Sequence, residues 1–88
     1  MIKNIKDAWQ ILNKDDKYTA TWASEYEKVY EFYVRGKGTP AYIATGLTSF
    51  LVSKKDGGIS AQYIFGDYSP LGKEIRGYTE KEIKEIES

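Results

Sequence analysis

The sequence predicts a two-layer α+β domain: an antiparallel sheet of four to five strands, with an N-terminal and a C-terminal helix packed on one face. A helical apolar stripe opens the chain, a capping box introduces a second helix near its end, and several β-branched and aromatic runs lie between them, separated by turn residues. At 88 residues the chain is sized for a single domain, spanning 1–88.

Ile5, Ala8, Trp9 and Leu12 recur at the spacing of one helical face. Asn4 suits the N-cap, and Asp7 lies in the first turn, where the helix dipole favours an acid. The polar run Asn13-Lys14-Asp15-Asp16-Lys17 ends this helix; it lacks the alternating oxygen ligands, glycine and distant glutamate of a calcium loop. YTATWAS (18–24) and KVYEFYV (28–34) read as an antiparallel hairpin with a polar turn at 24–27, and Tyr30, Phe32 and Val34 share its core face. Arg35-Gly36-Lys37-Gly38-Thr39-Pro40 is loop punctuation, since the spacing of a phosphate-binding loop is not met. A short strand is expected at 41–45, with Gly46 marking a bend.

The runs 47–54 and 59–65 flank an Asp-Gly-Gly turn, a strong short-range hairpin signal. Ile59, Ala61, Tyr63 and Phe65 alternate onto one face, so the second strand is expected to be half-buried, with Lys54-Lys55-Asp56 exposed at the tip. Residues 66–77 read as an irregular connection. Thr79-Glu80-Lys81-Glu82 is a capping box, Tyr78 and Ile83 are placed as a hydrophobic staple, and Ile83 and Ile86 give the last helix its apolar edge. The core candidates are Trp9, Leu12, Trp22, Phe32, Phe50, Val52, Ile59 and Ile64.

Thirteen basic residues balance thirteen acidic ones, which argues against a duplex-binding domain, whose affinity rests on a basic excess. The absence of cysteine excludes disulfides, and no apolar run suggests a signal peptide or a membrane span, so a cytoplasmic protein is expected. Without histidine or cysteine, the chain lacks the commonest general base, the commonest metal ligands and the thiol nucleophile. No enzyme, cofactor or metal centre is therefore expected. Eight tyrosines suit either a small core that uses large rings or a surface that uses them as anchors.

The preferred reading is a non-catalytic protein-binding module whose partner-binding candidates are Tyr26, Arg35, Tyr42, Lys54 and Lys55. The alternative is a small single-stranded nucleic-acid binder that uses the Tyr-rich strands with Arg35, Lys37, Lys54 and Lys55, although the RNP signature is missing. A homodimer through a sheet edge is a further expectation.

The order of elements is an amphipathic helix, the aromatic strand Val29-Tyr30-Glu31-Phe32-Tyr33-Val34, a Gly-Pro-containing connection, an apolar strand ending in Ser53-Lys54-Lys55-Asp56-Gly57-Gly58-Ile59, and a short acidic helix. This order resembles the small YrhB-like immunity proteins of bacterial toxin systems, in which an apolar strand meets a Val-x-Lys-x-x-Gly-x-Ile turn; Val52, Lys54, Gly57 and Ile59 fall on that turn. Glu27-Lys28 stands where that family carries Trp or Gly-Trp. The resemblance implies a cytosolic binder that neutralises a toxin by blocking it, without catalysis; a phage or plasmid inhibitor of a host factor has the same profile.

Overall fold

The structure is a computed structural model that describes residues 2–37, 48–63 and 72–88. In chain order these form α1 (Ile5–Leu12), β1 (Tyr18–Tyr26), β2 (Val29–Gly36), β3 (Thr48–Ser53), β4 (Ile59–Tyr63), β5 (Glu74–Gly77) and α2 (Glu80–Glu87). The five strands make one antiparallel sheet in the order β4-β3-β2-β1-β5, with both helices packed on one face. This is the expected α+β architecture. Among the described residues no helix is long and apolar enough to cross a membrane.

Both helices begin where their capping residues stand. The Asn4 side chain accepts from the Asp7 amide at 2.9 Å. At α2 the capping box is complete: Thr79 Oγ1 accepts from the Glu82 amide at 3.2 Å, and the Glu82 carboxylate accepts from the Thr79 amide at 3.0 Å. These bonds satisfy amides that a helix leaves orphaned at its N-terminus. The apolar faces so fixed, Ile5, Ala8, Trp9 and Leu12 from α1 with Ile83 and Ile86 from α2, close over Ala20, Ala23, Tyr30, Phe32, Val34 and Val52. Phe32 lies at the centre with no exposed surface, its ring 5.3 Å from that of Trp9.

Two expected core residues lie elsewhere, each for a physical reason. A bulge between Ala20 and Trp22 breaks the two-residue alternation of β1, pairing Ala20 with Val34 but Trp22 with Tyr33. Ala23 therefore turns to the helices in place of Trp22, and Trp22 faces outward at 48% exposure. Ile59 does pair with Val52, as a hairpin through the Asp-Gly-Gly turn requires, but α1 and α2 cover β1 to β3 and stop short of β4; it too is 48% exposed. Phe50 packs against the core only partly buried.

The connection expected to be irregular contains β5, whose strand character comes from pairing with the end of β1 rather than from its own sequence. The first hairpin turn also moves, since β1 runs to Tyr26 and leaves Glu27-Lys28 as the link. Ile64, Phe65 and the strand expected at 41–45 lie outside the described residues.

Truncating the core centre and truncating the outlying isoleucine should differ sharply. Phe32→Ala is expected to cost about 3–5 kcal/mol and Ile59→Ala less than about 1 kcal/mol in urea unfolding of this domain. Equal costs would contradict the placement of Ile59 beyond the helices.

Candidate functional site

β1 has nine residues and β5 four, and β5 pairs only with Ser24, Glu25 and Tyr26. The first half of β1 is therefore bare on that side. Because Lys37 donates to Lys17 O across the β1–β2 ladder, the alternate residues Tyr18 and Ala20 aim their backbone groups at the open edge. Side chains meet them there. The Asn13 amide accepts from the Tyr18 N–H at 2.9 Å and donates to the Tyr18 carbonyl at 3.2 Å, and Glu87 Oε2 accepts from the Ala20 N–H at 3.3 Å.

α2 thus runs beside an unpaired strand, and a groove of about 470 Å³ opens between them, lined among others by Thr19, Trp22, Arg35, Ile83 and Lys84. Trp22 forms a fixed wall. Its indole Nε1 donates to Ser24 Oγ at 2.9 Å, and its ring lies beside Gly77 of β5. Ser24 is itself 2% exposed, which holds the acceptor in place. Farther along the same edge, Ile75 of β5 is 55% exposed. The groove offers an aromatic plate, an aliphatic floor and charges of both signs. The Thr21 hydroxyl is engaged, donating to the Tyr33 carbonyl.

A second cluster lies at the opposite end of the sheet, on the helix side. Lys54 Nζ pairs with Glu25 Oε2 at 2.6 Å and stands 5.0 Å from the centre of the Tyr30 ring. The Tyr78 hydroxyl donates to Glu25 Oε1 at 3.4 Å, and the Arg76 guanidinium stacks 4.1 Å above the Tyr78 ring while bonding Glu82. Burial, then the Glu25 charge, pushes the Tyr78 phenol up to about 12, and the same two causes in the same order raise Tyr30. The bond from the Thr79 amide, followed by that from Arg76, lowers the Glu82 carboxyl below its usual range. This network ties β1, β2, β3 and β5 to α2. It is a structural clamp.

The residues singled out from the sequence do not assemble into one patch. Tyr26 lies half-buried at the end of β1, raised by burial and then by Glu31 and Glu74. Arg35 lines the groove at the other end of the sheet. Lys54, expected at an exposed tip, is held inside the clamp: it directly follows β3, two residues past the core residue Val52, and its amine reaches Glu25 on the helix side. Lys55 is exposed in the β3–β4 turn, and Tyr42 lies outside the described residues.

On the face away from the helices, Glu31 is buried and accepts from Ser49 Oγ at 2.8 Å. Among the described residues no three acidic side chains gather closely enough to hold a metal ion. Neither Trp22, expected among the core residues, nor the capping side chains Asn13 and Glu87 was marked as functional by the sequence. The one available signal was the adjacent pair Trp22-Ala23, of which a strand can bury only one on a given face. No family model, no curated protein and no solved structure matches this chain.

The clamp makes an alkaline prediction. The folded Tyr78 keeps its proton up to about 12, whereas an unfolded tyrosine loses it near 10, so over this window the native state binds more protons. Stability is therefore expected to fall as pH rises from about 10 towards 12, with the contribution fully present below 10. Titration followed by tyrosinate absorbance should show a last ionisation near 12 that is lost in Tyr78→Phe, while Tyr26 and Tyr30 still ionise above the ordinary tyrosine value. A single transition near 10 for all eight tyrosines would contradict the clamp.

Proposed function

We propose that this chain is a non-catalytic protein-binding module of the immunity or inhibitor type, which blocks a partner protein by seating one of its segments in the groove beside Trp22. The observation that supports this reading is the state of Trp22: an indole 48% exposed yet held by a hydrogen bond to the buried Ser24. Tryptophan is the residue type most enriched among binding hot spots, and a ring already held in one orientation loses little entropy on capture. Ile75, 55% exposed farther along the edge, extends the apolar contact area, while Arg35, Glu80 and Lys84 supply a polar rim of mixed sign. That mixture favours a partner segment with an aromatic or aliphatic anchor and little net charge. The clamp leaves Lys54 to stability, so of the sequence-derived candidates Arg35 carries most weight at this surface.

The rival reading, a single-stranded nucleic-acid binder, draws on Trp22, Tyr26 and Tyr33, which share the outer sheet face and are of the type that stacks bases. Against it, Glu31 sits between them on that face, and a carboxylate there repels phosphate.

Trp22→Ala separates the two. Capture from nuclease-treated lysate of the source organism should recover one stoichiometric protein with the native chain. Trp22→Ala should weaken that complex by about thirtyfold, a hot-spot loss of roughly 2 kcal/mol, while shifting the melting temperature by only a few degrees. Unchanged capture by the variant would overturn the site. Recovery that vanishes on nuclease treatment would overturn the function.

A further inference from the structure

The two edges of the sheet are finished differently. On the β1–β5 side, the open half of β1 is capped by Asn13 and Glu87, and β5 is four residues long with Glu74 and Arg76 among them. Short length, charge and covering side chains are the usual means of keeping an edge from pairing. Among the described residues β4 has neither charge nor a covering side chain. Its five residues, Ile59-Ser60-Ala61-Gln62-Tyr63, include no charge and no proline, and Ile59, Ser60 and Ala61 are all exposed.

The direction of the free backbone groups on β4 follows from the ladder. Ser53 donates to the Gly58 carbonyl at 2.9 Å, and the register then pairs Leu51 with Ser60 and Ser49 with Gln62. In an antiparallel ladder these residues turn their N–H and C=O groups towards β3, so Ile59, Ala61 and Tyr63 turn theirs outward. We infer that β4 is the site of a symmetric homodimer, in which β4 of one copy pairs antiparallel with β4 of a second copy about a two-fold axis at Ala61.

The occupant is a second copy because the strand is complementary to itself. With the axis at Ala61, position 59 of each copy faces position 63 of the other and Ala61 faces Ala61. All the outward N–H and C=O groups of these three residues then pair in one register. No charge meets a like charge, since the strand carries none. The same axis also covers Ile59, the large apolar residue that the described part of this edge leaves open. Ile59 lies on the helix side at 48% exposure, and Ile2 and Ile11 reach over Gly57 close by, with a Cβ there falling 3.5 and 3.2 Å from their Cδ1 atoms. An interface built on five paired residues and this isoleucine margin is small, which makes the dimer a concentration-dependent one. The inference stands on β4 alone and does not use Trp22.

Sedimentation velocity of the native chain, Ala61→Pro, Ala61→Lys and Trp22→Ala tests it. Proline at 61 removes an N–H that β3 does not use, so the fold is retained while pairing across the axis is blocked. Lysine at 61 sets two like charges opposite each other. The native chain and Trp22→Ala are expected to dimerise on concentration to about 100 µM, and the dissociation constant should rise by at least about tenfold in both Ala61 variants, each keeping a cooperative melt. A native chain that stays monomeric up to about 1 mM would overturn the inference, as would a dimer retained by either folded Ala61 variant or lost in Trp22→Ala.

Discussion

The constraint on which the rest of this structure depends is that β1 outruns its neighbour. Seven of the nine residues of β1 are laddered to β2 on one side, from Tyr18 to Glu25, while β5 reaches only the last three on the other. Tyr18 and Ala20 are left with edge-facing amides, and an unpaired backbone group away from water costs about as much as a lost hydrogen bond. The molecule resolves this with one side chain from each helical end. Asn13 closes α1, its own N–H donating to the Trp9 carbonyl, and then serves both groups of Tyr18. Glu87, in the last turn of α2, takes the Ala20 N–H. Capping the edge thereby also fixes where each helix meets the sheet, and the groove is the space that arrangement leaves.

The bulge at Thr21 completes the arrangement. By turning Ala23 inward it sets two alanines, Ala20 and Ala23, beneath the helices, where larger residues would hold α2 away from β1. By turning Trp22 outward it places an indole over Gly77 and against the groove. One extra residue in one strand therefore supplies both close packing on the helix side and an aromatic anchor on the other. At the far end the Glu25–Lys54 pair, Tyr30, Tyr78 and Arg76 hold β1, β3, β5 and α2 together, so the groove is built on a sheet anchored at both ends.

Much of this fold was legible in the chain, and the parts that were not share a cause. Both helix starts could be read because caps are local: Asn4 and the Thr79–Glu82 box act within four residues of themselves. The β3–β4 hairpin could be read because Asp-Gly-Gly fixes its turn. What failed depends on distant partners. β5 is a strand only because β1 is beside it, and its four exposed residues carry no pattern of their own. The facing of Trp22 depends on a bulge that alternation assumes away, and the exposure of Ile59 on how far two helices extend. The binding candidates suffered most, since Tyr26, Arg35, Lys54 and Lys55 were chosen by residue type and the fold distributes them to different faces and ends.

Among the described residues, the open half of β1 is closed by Asn13 and Glu87, whereas the outer side of β4 meets no such side chain. Residue-resolved amide hydrogen exchange in dilute solution addresses this difference most directly, because exchange reports whether each N–H has a partner. Slow exchange is expected at Tyr18 and Ala20, bonded to Asn13 and Glu87, and fast exchange at Ile59 and Ala61 on the side of β4 away from β3. Fast exchange at Ala20, or strong protection of Ala61 in the dilute monomer, would contradict this difference between the two edges.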